Sequence, residues 1–109
     1  MESNSGVTTV VDLSKFGPIL GNRATAAKLR QDALADIGSG NKIVFDLASV
    51  ESVSSGFCFE LFGELYKQLQ NDFGKSVSFR FSNSPNTHVI RTLVNNSLQA
   101  AVTQIRGVG

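Results

Sequence analysis

The stretch that decides the reading is Lys42-Ile43-Val44-Phe45-Asp46-Leu47-Ala48-Ser49-Val50-Glu51-Ser52-Val53-Ser54-Ser55-Gly56-Phe57-Cys58-Phe59-Glu60-Leu61-Phe62-Gly63. From Lys42 to Leu47 the apolar side chains run on without alternating with polar ones. That is the pattern of a strand covered on both faces, which makes it central and parallel to a neighbour. From Gly56 the period changes. Phe57, Leu61, Leu65 and Leu69 form one row, with Cys58, Phe62 and Tyr66 beside it, while Glu60, Glu64, Lys67 and Gln68 fall elsewhere. This spacing predicts an amphipathic helix from Gly56 to somewhere between Asp72 and Gly74. Between strand and helix lies a short bend that carries Ser54 and Ser55.

Upstream, Val7 to Leu13 is rich in β-branched side chains, whose restricted χ1 suits a pleated surface, and it is read as the first strand. Phe16-Gly17-Pro18 punctuates a turn, and Ile19-Leu20 adds a short second strand before Gly21. Asn22 can accept hydrogen bonds from the first free amides of a helix. Ala26, Leu29, Ala33 and Ile37 then recur at helical spacing until Gly38 offers a left-handed stop, so a helix spans about Arg23 to Ile37. Downstream, Ser76 to Phe81 alternates strictly, with Val77, Phe79 and Phe81 on one face, as in a half-exposed edge strand. Ser84-Pro85 reads as an N-cap followed by proline at the first helical position, and Val89, Ile90, Leu93 and Val94 supply a stripe to about Asn95. Met1 to Gly6 is expected to be loose, and residues 97–109 read as ambiguous. Strands alternating with helices imply an α/β fold. The expectation is one domain over residues 1–109, a small mixed or parallel sheet of four to five strands with about three to four helices packed on it.

Composition narrows the function. Hydrophobic residues make up 41% and charged residues 17% of the 109, enough apolar material for one core and too little for two. Ten Lys and Arg against nine Asp and Glu, with the basic residues scattered along the chain, make nucleic acid a poor expectation. Cys58 stands alone, no amino-terminal segment reads as a signal peptide, and no apolar run approaches the roughly 20 residues needed to cross a bilayer. A cytoplasmic protein without a membrane span is expected. A nucleophile normally needs a histidine base within reach. The sole histidine, His88, falls near a helix start among polar neighbours, and Cys58 falls in the apolar rows, so no dyad is expected. One Cys and one His cannot supply a zinc site. Asp32, Asp36, Glu60 and Glu64 read as solvated helix faces, and no phosphate-cradling glycine motif is present. The reading is a non-enzymatic protein with no cofactor and no metal.

The run Val44 to Phe57, followed by Glu60-Leu61-Phe62-Gly63, resembles the strand-loop-helix segment of STAS domains, among them the anti-anti-sigma factors. It is more similar still to a bacterial STAS-like family of uncharacterised members, whose pattern is an apolar-Asp strand, a Val-x-x-Ile/Val-Ser-Ser step and a Phe-x-x-Glu-Leu-Phe helix. Gly21-Asn22-Arg23 and Phe79-x-Phe81-x-Asn83 also fit, and the resemblance extends over Val7 to Leu98. It implies a STAS-like fold and a regulatory module that binds a protein. In anti-anti-sigma factors the serine at the start of this helix is phosphorylated by a histidine-kinase-like ATPase, the anti-sigma factor. That serine corresponds here to Ser55, with Ser54 as runner-up. A phosphate there would meet free helix amides, and its charge of about −1.5 to −2 would repel a partner surface shaped for a hydroxyl.

The sequence departs from that pattern in three places. Ser54 replaces the usual acidic residue before the serine, Phe57 stands where glycine is usual, and Phe59 takes a place that is commonly acidic in the closer family. Phe59 is read either as an exposed partner contact or as a side chain meeting a neighbouring loop. The expected partner surface comprises Ser54, Ser55, Gly56, Phe59, Glu60 and Gly63. Two readings of the serines stand side by side: caps for the helix, or a regulatory site. Asp46 reads either as a group that orients the bend or as the point where the strand reaches water. The alternative function is a small-ligand sensor, taking a nucleotide or other anion at a helix N-terminus such as Asn22 to Ala24 or Ser55 to Phe57.

Overall fold

Five short strands form in the computed structural model, which describes residues 7–107. Met1 to Gly6, expected to be loose, lie outside the described residues. β1 (Thr8–Asp12), β3 (Lys42–Asp46) and β5 (Val77–Arg80) make a parallel sheet in the order β1-β3-β5, with Val10 beside Val44 and Val44 beside Ser78. β3 is central and β5 is an edge, as the patterns predict. β2 (Ile19–Leu20) and β4 (Ser52–Val53) pair with each other, also in parallel, as a separate ribbon. The expected single sheet of four to five strands is therefore corrected to three plus two.

Local chemistry at the end of β1 explains the division. Asp12 Oδ1 accepts hydrogen bonds from the Ser14 amide (3.0 Å) and the Ser14 hydroxyl (2.6 Å), which starts a 3-10 turn over Leu13–Phe16. Gly17 follows at φ 111°, a conformation that glycine adopts at little cost. The chain is thus turned off the sheet before Ile19. The amides of Glu51 and Ser52 both donate to the Pro18 carbonyl (2.8 and 3.2 Å), and these bonds hold β4 against β2.

α1 spans Arg23–Gly38, and Asn22 caps it as expected, its Oδ1 accepting from the Thr25 amide at 3.1 Å. Gly38 lies inside the helix; the left-handed residue is Gly40, at φ 92°. The predicted second helix is a continuous helical run, here called the central helix: α2 (Ser55–Cys58), a π-helical segment (Phe59–Gly63) and α3 (Glu64–Leu69). It stops earlier than the spacing suggests. Gln70 turns out at φ 48°, and a 3-10 turn (Gln70–Asp72) leads into the single turn α4 (Phe73–Ser76). α5 runs from Thr87 to Gly107, starting beyond the Ser84-Pro85 turn and ending far beyond Asn95. Its buried row continues past the expected end, from Ile90 and Val94 to Ser97 and Ala101.

The helices lie on one side of the sheet. Parallel crossovers are right-handed, so a strand order that advances steadily from β1 through β3 to β5 places both crossover helices on the same face. Burial agrees: Ile43, Phe45 and Leu47 are buried, Val44 between them is only half-buried, and Val10 is 47% exposed. The expectation that β3 is covered on both faces is corrected accordingly. On the covered face, Phe62 of the central helix meets the rings of Phe45 and Phe79 edge-on, each at 5.1 Å. α1 touches β3 and the π segment, and α5 packs on the central helix, so one contiguous core runs from sheet to outer helix.

Candidate functional site

Two parallel strands that end together deliver two helix starts to one place. The Ser54 amide donates to the Leu20 carbonyl (2.8 Å), so the beginnings of α1 and α2 stand side by side. Ser54 then takes extended backbone angles (φ −82°, ψ 155°), and its hydroxyl accepts from the Phe57 amide at 3.0 Å. It is the N-cap. Ser55 is the first helical residue, exposed, and its hydroxyl has no hydrogen-bond partner among the described residues. The two serines that the sequence left undivided thus separate: capping accounts for Ser54 and leaves Ser55 free.

Gly56 has a specific neighbour. A β-carbon there would stand 2.8 Å from Arg23 Nε and 3.0 Å from its Nη2, so the guanidinium of α1's first residue lies across the first turn of α2. Glycine at position 56 leaves the room for it. Ser55 is thus the first residue of a helix start whose second residue carries a cation across it, and both the helix start and the cation favour negative charge nearby. The β3 end of the bend is held by Asp46, whose Oδ1 accepts from the Ala48 amide (2.9 Å) and whose Oδ2 accepts from Arg80 Nη1 (3.3 Å). Asp46 orients the connection as well as ending the strand.

The remaining expected contact residues are placed differently. Glu60 is half-buried and tied down: Arg30 Nη1 reaches its Oε2 at 2.6 Å and its carbonyl oxygen at 2.7 Å. That carbonyl is the one the helix passes over, because the Glu64 amide donates to Phe59 and Leu61 rather than to Glu60. Phe59 is half-buried, not exposed, with Lys67 Nζ 6.0 Å above its ring and Gly63 against its edge. Lys67 is in turn held by Glu64 (2.8 Å) and Gln104 (2.7 Å). Gly63 is fully covered; a β-carbon there would meet the Ser97 carbonyl of α5 at 3.1 Å. It leaves the set of surface contacts. The reason is that the central helix is enclosed by sheet, α1 and α5, so its buried arc is wider than a single amphipathic stripe and takes in the polar-looking side that holds Gly63.

The other singled-out groups do not join the site. Cys58 is buried, and loss of solvent around the sulfur pushes its thiol up to about 12, so it is neutral at neutral pH. His88 lies exposed in the first turn of α5. Among the described residues, no group of three or more His, Cys, Asp or Glu could hold a metal ion, and no helix is long and apolar enough to cross a membrane. Reading the sequence missed Arg23 and Arg30. Arg23 was within the Gly21-Asn22-Arg23 segment and the Asn22 to Ala24 anion-site candidate, but nothing in the sequence joined it to Gly56, and Arg30 carried no signal.

A family model described as a STAS-like domain of unknown function (DUF4325) matches residues 25–86, from the first turn of α1 to the turn before α5. No curated protein and no solved structure gives a significant match.

Proposed function

The chain belongs to this STAS-like family, and from that premise we propose that it is a cytoplasmic, non-enzymatic regulatory module that works by binding a protein. Its partner in this reading is a histidine-kinase-like ATPase, which phosphorylates Ser55 and is released when it does so. The observation that carries the reading is the division of labour between the serines. Ser54 is committed to the Phe57 amide, while Ser55 is exposed at the first helical position, its hydroxyl without a partner among the described residues, one residue before the glycine that Arg23 lies across.

The geometry supports a switch that acts on binding and not on folding. A phosphoryl group on Ser55 would gain from the helix dipole and from Arg23, so the domain tolerates it. The partner would meet a dianion where it had met a hydroxyl, and would lose affinity through repulsion and desolvation. The docking surface of this proposal is the Ser54-Ser55-Gly56 bend with the outer edges of Phe59 and Glu60; Gly63 has no part in it. The sensor reading is weaker, because nucleotide crevices in open α/β sheets form where strand order reverses, and β1-β3-β5 advances in one direction.

Co-purification from the native host, followed by incubation with ATP and intact-mass measurement, tests the proposal. The expected result is a complex with an ATPase of this class and a gain of about 80 Da, one phosphoryl group, that maps to Ser55. Absence of both the complex and the mass gain would reject it.

A further inference from the structure

After Asp72 the chain contains no Asp or Glu, yet it contains Lys75, Arg80, Arg91 and Arg106. All nine acidic residues lie in the first 72. This segment builds the β5 edge of the sheet and α5; Arg80 is paired with Asp46 (3.3 Å), while Arg91 of α5 is exposed. The β5 edge also carries backbone groups without a partner strand. The Leu47 amide donates to the Arg80 carbonyl (2.8 Å), so in the alternation of a parallel pair Ser78 and Arg80 turn their backbone groups toward β3. Phe79 turns its amide and carbonyl outward and Val77 its carbonyl, the Val77 amide being taken by the Phe73 carbonyl, and among the described residues β5 has no further strand beside it.

Next to this edge α5 stands off and leaves a trough of about 540 Å³. Phe79, Phe81, Val94 and Leu98 supply its apolar lining, and Arg91 and His88 its polar rim. The Arg91 guanidinium lies 5.1 Å from the Phe81 ring centroid, a stacked position from which its outer donors face solvent. Among the described residues, no carboxylate lines the trough.

We propose that this edge binds an extended acidic polypeptide segment, which adds as a strand beside β5. The outward amide and carbonyl of Phe79 and the outward carbonyl of Val77 take its backbone, the trough takes its alternate apolar side chains, and Arg91 takes its carboxylates. Charge selects the occupant. A free edge also invites a second copy of the same chain, but a β5 strand (Val77–Arg80) brings no carboxylate to meet Arg91, whereas an acidic segment does. The surface is separate from the Ser55 bend and stands on its own observations.

The test uses the full chain and synthetic peptides of alternating Glu and Val, about six residues long, a common strand length. Lys-Val peptides and backbone N-methylated Glu-Val peptides serve as controls. Binding is followed by labelled-peptide anisotropy and by amide chemical shifts. The Glu-Val peptide is expected to saturate, to weaken as salt is raised, to protect the amide of Phe79 and to shift the amides around it. The Lys-Val and N-methylated peptides are expected to fail. Arg91→Glu, on an exposed helix position, should lower affinity about tenfold, equivalent to about 1.4 kcal/mol, with the circular dichroism spectrum unchanged. Arg91→Gln should lower it less and shows whether charge is the cause. Equal binding of the Lys-Val peptide, retained binding of the N-methylated one, shifts centred elsewhere, or no saturation at millimolar peptide would each overturn the proposal. So would tighter binding of an oligothymidine or an anionic vesicle through the same residues, or self-association through β5 in sedimentation.

Discussion

At the scale of single residues, neighbouring serines have been given different tasks by one turn of backbone. Ser54→Ala removes the oxygen that satisfies the Phe57 amide and should cost about 1 kcal/mol of unfolding free energy, whereas Ser55→Ala should stay within about 0.5 kcal/mol. Urea denaturation of the two variants measures both, and equal costs would contradict the assignment of cap and free hydroxyl. The sequence made this pair visible as a helix start but could not divide it, since either serine satisfies the same capping preference. What decides is the hydrogen bond from the Ser54 amide to Leu20, a contact between strands far apart in the chain. Cys58, three residues on, gives a prediction in pH. Its folded thiol titrates near 12 and its unfolded thiol near 8.5. The unfolded chain therefore loses its proton first, so the cysteine's contribution to stability is constant on the acid side of this window and is lost as pH rises from about 8.5 toward 12. The measurement is the unfolding free energy across that window for the native chain and for Cys58→Ala, whose curve should be flatter by the cysteine's share. The native thiol should react with a disulfide reagent only as fast as the chain opens.

At the scale of elements, the central helix departs most from what its sequence suggests. Rows of Phe57, Leu61 and Leu65 and of Cys58 and Phe62 announce a helix, and all five side chains are buried in it. Nothing in those rows announces a π turn, because an extra residue in one turn leaves the apolar composition unchanged. Its cause is spatial: the carbonyl that the turn releases, on Glu60, finds a donor in Arg30 of α1. Arg30→Ala should leave that half-buried carbonyl and the Glu60 carboxylate without their partner, at a cost of about 1–3 kcal/mol. Arg30→Lys, which offers one ammonium for two acceptors, should fall between. Thermal and urea unfolding of the set provides the check, and a cost near zero for Arg30→Ala would mean that water serves the carbonyl equally well. The helix end at Leu69 was likewise unreadable, since Gln70 is no breaker and yet adopts φ 48°. α5 was read only in part: its stripe was followed to about Asn95, whereas the helix runs from Thr87 to Gly107. Ser84-Pro85 looks like a helix start, but the turn there is closed by Thr87, whose hydroxyl donates to the Ser82 carbonyl at 2.6 Å, and the helix begins only with that residue.

At the scale of the whole molecule, the distinction the sequence blurred is between a sheet covered on one side and a sheet covered on two. Strand existence, the central place of β3 and the edge place of β5 were legible from periodicity and β-branching. The Ile43-Val44-Phe45 run was read as doubly buried because an apolar residue flanked by neighbouring strands looks the same in sequence as one under a helix. Topology resolves the ambiguity: two right-handed crossovers moving in one direction cover one face, and among the described residues no element remains to cover the other. Adjacent positions on β3 should therefore respond in opposite ways. Phe45 is fully buried, with Phe62 edge-on and Phe79 stacked at 6.1 Å, and Phe45→Ala should cost about 3–5 kcal/mol. Val44, between Val10 and Ser78 on the bare face, can exchange a methyl for a hydroxyl that water reaches, and threonine keeps the β-branch that the strand favours. Val44→Thr should cost less than about 1 kcal/mol. Burial under a second helical layer would instead leave the hydroxyl unsatisfied at about 1–3 kcal/mol. Urea denaturation of the two variants in parallel reads the difference, and a Val44→Thr cost in that higher range would show that in solution this face of the sheet is covered after all.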